Sequence, residues 1–154
     1  MNGAILARLA AAGLALPRPT MPAANYVPFT RAGPLLFVAG QTPVQDGEPQ
    51  YCGIVGEGIT IEEAQAAARL CALNVLAQVD VALKGEPLRV RCLRLGGFVR
   101  CTGDFIQQAR VLDGASDLMV LALGEDGRHA RTTAGTNALP RGVPVEVEGV
   151  FELA

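Results

Sequence analysis

Tryptophan is absent, and histidine and serine occur once each, at His129 and Ser116. Aromatic residues make up only 5% of the chain, so its interior has to be built from Ala, Val and Leu. One His is too few for the usual zinc ligand sets, and the four cysteines, Cys52, Cys71, Cys92 and Cys101, form no CxxC pair. The lone Ser lies outside any GxSxG elbow, which argues against a serine hydrolase; Ser116 suits a helix cap instead. No Walker loop, HExxH or GxGxxG-plus-acid pattern occurs. Basic charge is not in excess: 13 Lys and Arg stand against 15 Asp and Glu, with a pI near 5.4. That argues against a nucleic-acid partner, which needs clustered cations for phosphate contacts. No apolar run reads as long enough to span a membrane, so no membrane partner is expected. The stretch from Met1 to Pro17 has an apolar flavour, but Arg8 interrupts it and no Lys or Arg precedes Arg8. It reads as a short amphipathic helix stopped by Gly13 rather than a signal peptide, and the expected location is cytoplasmic.

What is present describes one globular domain over residues 1–154, of which 1–24 form an N-terminal helix and connector. Half of the residues are hydrophobic, and 18 Gly and ten Pro point to many turns and a strand-rich fold. Cys71 and Cys92 read as buried free thiols. Tyr26 to Thr30 and Leu35 to Ala39 form a hairpin about the turn Arg31-Ala32-Gly33-Pro34. The corner Gly40-Gln41-Thr42-Pro43 ends the second strand, because Pro43 cannot donate to a ladder. It is either a simple strand exit or a pocket lining of main-chain groups. Gln45 to Gly58 reads as loop, with a short extended piece at Tyr51 to Val55.

Thr60 to Leu83 carries the clearest helix signal. Thr60 and Glu63 make a capping box, Ala64, Ala67, Ala68, Cys71, Val75 and Val79 form an apolar stripe, and Lys84-Gly85 ends it. Leu88 to Cys101 is a long strand whose alternation slips near Leu93 to Gly97, where Gly96-Gly97 suggests a bulge. Its arginines, Arg89, Arg91 and Arg94, read as a solvated face or a subunit contact. Asp104 to Gly124 holds a second helix, with a break expected at Asp113-Gly114 and a recap at Ser116. The order helix, β, β, α, β, α, β, β indicates an α+β sheet with helices on one face.

The stretch from His129 to Glu148 carries most of the chemistry. Ala130 to Ala138 suits an extended segment, Leu139-Pro140-Arg141-Gly142 a turn, and Val143 to Phe151 a strand. In that strand Val143, Val145 and Val147 face one way and Glu146, Glu148 and Glu152 the other, the latter as a solvated face or subunit contact. A closing hairpin would set Arg131 beside Glu146. The pair suits a site for a small acid and equally a plain cross-strand salt bridge. His129 reads either as a general base or as a hydrogen-bonded edge residue.

Several of these pieces together resemble the Rid/YjgF family, the reactive-intermediate deaminases. Ala39-Gly40-Gln41-Thr42-Pro43 is similar to that family's SGQxP corner. His129-Ala130-Arg131, then Leu139-Pro140, then Val145 to Val150 resemble its ARS, LP and VEVEA series. Tyr26 stands at the spacing of the family's Tyr, and Thr102-Gly103-Asp104-Phe105 resembles its NDF segment. The N-terminal helix and the segment Asp113 to Leu118 look like a longer, poorly characterised branch.

The resemblance implies a chorismate-mutase-like (YjgF-like) mixed β-sheet with two main helices on one face, plus the short N-terminal helix. It implies a homotrimer with three clefts between subunits. In those clefts 2-imino or 2-enamino acids would be hydrolysed to 2-keto acids and ammonia, with no cofactor and no metal. By the same resemblance Arg131 would hold the substrate carboxylate, and Glu146 would act as general acid and base. Tyr26 would close one side, and main-chain groups at Gly40 and Thr133 would hold water or substrate. Thr133 stands where the well-studied members carry Cys, which bears on substrate preference. Two other readings stay open at this point: a trimeric binding protein for small carboxylic acids, and, more weakly, a ribonuclease.

Overall fold

The computed structural model describes residues 1–21 and 24–154; Pro22 and Ala23, in the expected connector, lie outside the described residues. Helix α1 (Gly3–Ala11) starts at Asn2, whose side chain accepts the amide of Ile5 at 3.0 Å, and Gly13 follows it in left-handed backbone. Its Ile5 and Leu9 are buried. Strands β1 (Phe29–Ala32) and β2 (Leu35–Gln41) pair antiparallel about Gly33, as the turn chemistry requires. The segment expected to be loop contains four two-residue strands. These are an antiparallel pair, β3 (Val44–Gln45) with β4 (Glu48–Pro49), and a parallel pair, β5 (Ile54–Val55) with β6 (Gly58–Ile59).

Helix α2 (Ile61–Leu83) has the expected box: Glu63 N donates to Thr60 Oγ1 at 3.2 Å, and Thr60 N donates to Glu63 Oε2 at 2.8 Å. It ends at Lys84, in left-handed conformation. The helix is long and apolar enough, by length and composition alone, to cross a membrane, which corrects the sequence expectation. However, 72% of its most apolar window is buried within this fold, as befits a core helix. Strand β7 (Val90–Arg100) follows, then helix α3 (Gln108–Leu123), a 3₁₀ turn over 124–127, strand β8 (Ala130–Thr136), a second 3₁₀ turn over 140–142 and strand β9 (Val145–Leu153).

The main sheet runs β1-β2-β9-β7-β8. The expected closing hairpin does not form. β8 pairs parallel with β7, and β9 pairs antiparallel with both β7 and β2, so β7 separates the two. A turn prediction is local, whereas strand order is settled by long-range pairing, and here a central β9 gains two neighbours. Val145 and Val147 point into the core under α2 and α3, with Leu36, Leu95 and Phe151. The opposite face is left uncovered by the described residues and carries Phe37, Phe98 and the glutamates of β9. Arg89, Arg91 and Arg94 form ion pairs with Asp126 (2.6 Å), Glu152 (3.9 Å) and Glu148 (3.2 Å). Cys71 and Cys92 are buried and free, and burial pushes the Cys92 thiol up to about 12.

Two glycine readings are corrected. The register of β7 shifts between Cys92 and Arg94, at the start of the expected slip and not at Gly96-Gly97. Gly96 makes room for the Glu148 side chain, and Gly97 for Leu112, whose Cδ1 would stand 2.5 Å from an added Cβ. Gly114 does not break α3. The helix continues through it, and a Cβ there would overlap the main-chain carbonyl of Gln65 on α2. Ser116 therefore sits mid-helix and caps nothing.

Candidate functional site

The candidate site grows from a fault in the β2–β9 ladder. Val38 pairs with Gly149 and Gln41 with Val147, so β2 carries one extra residue at Ala39-Gly40. That bulge brings Gly40 beneath Glu146, where a Cβ would overlap Oε1 and lie 3.2 Å from Cγ. Only glycine lets the carboxyl lie against this backbone. The corner is held from below by two buried polar residues of α2. Asn74 Nδ2 donates to the carbonyls of Thr42 (3.0 Å) and Val44 (2.9 Å), and Gln78 Nε2 donates to Thr20 O at 2.8 Å. Buried Gln41 bonds back to Ala39 O at 3.1 Å. Asn74 and Gln78 were not read as site supports, although a polar pair inside an apolar helix stripe is a usable signal, since buried amides need partners.

A cleft of about 420 Å³ opens over this corner. Tyr26, Gly40, Gln41, Thr42, Arg141 and Glu146 all line it. Three of the expected site residues, Tyr26, Gly40 and Glu146, thus meet in one place. Burial pushes the Glu146 carboxyl above the ordinary carboxylate range, and Glu148 adds to the rise. A raised carboxyl beside a half-buried cleft is suited to holding and releasing a proton. Arg141, which no sequence signal singled out, brings a cation to the same cleft. Among the described residues there is no group of three potential metal-binding side chains.

Arg131 and Thr133 are elsewhere on the same chain. They lie on β8, the edge strand, opposite Leu95 and Gly97 of β7, and face the helices. Glu146 is paired with Phe98 on the other face. Arg131 Nη2 contacts Asp113 Oδ1 at 2.8 Å, and its Nη1 donates to Ser116 Oγ at 3.1 Å. Ser116 Oγ lies 3.1 Å from His129 Nε2, and His129 Nδ1 lies 2.6 Å from Gly127 O. With the proton on Nδ1 donated to Gly127, Ser116 can donate to Nε2 and accept from Arg131. The chain's only Ser and only His thus orient Arg131, and His129 is a hydrogen-bonded edge residue. The within-chain Arg131–Glu146 pair expected from a hairpin is absent from this arrangement, because a whole strand separates them.

A second hollow of about 430 Å³ lies between α2, α3 and the loop around Gln50-Tyr51, and it holds none of the expected site residues.

The family model described as "YjgF/chorismate_mutase-like, putative endoribonuclease" matches residues 6–146 of this chain. The chain is 42% identical over 154 residues to Protein TCP17 of Trypanosoma cruzi, covering 99% of this chain and 96% of that protein. The crystal structure of Atu1372, a protein of unknown function from Agrobacterium tumefaciens, is similar at 43% identity and a TM-score of 0.91, over 98% and 93% of the two chains. That of a putative endoribonuclease from Shewanella oneidensis MR-1 is similar at 34% identity and a TM-score of 0.92, over 98% and 100%.

Proposed function

The chain belongs to the YjgF/chorismate_mutase-like family, and from that premise we propose that it is a cofactor-free hydrolytic deaminase of 2-imino or 2-enamino acids. The observation that carries the reading is Glu146, a half-buried carboxyl of raised pKa laid over Gly40 in a cleft that Tyr26 helps to wall. In the reaction, Glu146 takes a proton from water as its oxygen adds to the imine carbon. It passes that proton to nitrogen, giving a carbinolamine, then takes the proton of the new hydroxyl and hands it to nitrogen as the C–N bond breaks, leaving a 2-keto acid and ammonia. An imine carbon is already electrophilic, so positioning the water beside it supplies much of the help needed.

Arg131 is assigned to the substrate carboxylate, which its planar guanidinium can bind through two parallel hydrogen bonds. In one chain it cannot reach Glu146. We therefore assign it, with the main chain at Thr133, to the cleft of a neighbouring subunit in a homotrimer. The uncovered sheet face, where Phe37 and Phe98 are 43% and 40% exposed, is the surface that assembly would cover.

Subunit mixing tests this directly. Ammonia release from imines made in situ by an amino-acid oxidase is measured for wild type, Arg131→Ala and Glu146→Gln. Each variant alone is expected to be inactive above background. Co-expressed, they are expected to recover about a quarter of the wild-type rate, because a closed trimer of two subunit kinds still forms some intact clefts. Activity in Arg131→Ala alone would remove Arg131 from the site, and no recovery on mixing would place both residues' roles within one subunit.

The endoribonuclease in the family's description fits less well, because the arginines of the uncovered face are paired with Glu148 and Glu152.

A further inference from the structure

We propose that Arg141 recognises a second acidic group on the substrate, so that the preferred substrates of this cleft are 2-imino dicarboxylates. This rests on the deaminase reading above. With the substrate's own carboxylate assigned to Arg131, the cleft still carries one cation, and Arg141 is the only one among its described lining residues. A cation whose one carboxylate partner is exposed and loosely held, set beside bound substrate, selects for a distal anion.

The placement of Arg141 is specific. Its backbone is left-handed, with φ 56° and ψ 15°, a conformation uncommon for residues other than Gly. Such a conformation persists where the surroundings enforce it. Here the next residue, Gly142, is pinned through its carbonyl, which accepts from Gly53 N at 2.9 Å and Arg100 Nη1 at 3.0 Å. Gly142 N in turn donates to Leu139 O at 3.1 Å. The turn thereby directs the Arg141 side chain toward the β3–β4 turn, where Nη1 donates to Gly47 O at 3.0 Å.

The guanidinium is held but not used up. Of its five N–H donors, one goes to Gly47. Its ion-pair partner, Glu48, is 3.6 Å from Nη2 and 79% exposed, a loose and screened contact that a bound carboxylate can displace. Hydrolysis is unchanged in kind: a C–O bond forms, the C–N bond breaks, and ammonia leaves without any redox step.

The test compares kcat/KM for imines generated in situ from aspartate and glutamate with those from leucine and methionine. It uses wild type, Arg141→Gln and Arg141→Gly; the Gly variant suits the left-handed backbone and guards against a folding failure. Wild type is expected to favour the dicarboxylates by about tenfold or more, the scale of one charge-assisted contact. Both variants are expected to lose that ratio. Equal wild-type rates on both classes, or a ratio that survives in both variants, would overturn the role of Arg141 and leave the deaminase reading standing. No turnover of any imine by wild type would overturn the deaminase reading, and the proposal with it.

Discussion

Glu146→Gln is expected to lower imine hydrolysis by about 10²- to 10⁴-fold, the usual share of a positioned acid–base group, without weakening the fold. The variant keeps the shape of the side chain and removes only its ionisation. Desolvation is the main cause of the raised Glu146 pKa, with Glu148 adding to it. A carboxyl whose folded pKa is raised favours the native state below the ordinary carboxylate pKa, and that contribution is lost as pH rises through the folded value. At neutral pH the ionised side chain therefore costs stability, which Gln does not. The melting temperature of Glu146→Gln should equal or exceed that of wild type at pH 7, and the difference should fade on acidification below pH 4. A variant that is inactive and also less stable at pH 7 would assign Glu146 a structural role instead.

Gly114→Ala is expected to destabilise the protein by about 2 kcal/mol or more, through overpacking at a helix crossing. Helix propensity alone gives the opposite sign, a gain of about 1 kcal/mol for Ala over Gly. The crossing decides, because an added Cβ overlaps Gln65 O and stands 2.8 Å from Gln65 C, both main-chain atoms that cannot rotate away. For a chain of this size the melting temperature should fall by about 4–8 °C. A rise in melting temperature would show that α2 and α3 are not in contact at Gly114.

Much of the fold was legible because its determinants are local. Thr60 and Glu63 lie three residues apart and bond each other, so the start of α2 can be read from four letters. The hairpin about Gly33 and the alternation of Val145 and Val147 with Glu146 and Glu148 are equally short-ranged. The two glycines misread, as a break at Gly114 and a bulge at Gly97, owe their identity to neighbours far along the chain. Gln65 O and Leu112 stand where a Cβ would go. Ser116 was misread for the same reason: its partners, His129 and Arg131, arrive from another element.

The candidate site divides along the same line. From its letters alone, the chain determined that residues 40–43 make a corner, that Glu146 faces away from the core, and which family pattern Arg131 and Tyr26 match. Those are matters of side-chain period, proline and glycine chemistry, and motif. Only the tertiary structure decided that β7 stands between Arg131 and Glu146, that a bulge lays Gly40 under the carboxyl, and that Arg141 shares its cleft. Strand order and cavity shape depend on which distant segments pair most favourably, and no window of sequence holds both partners.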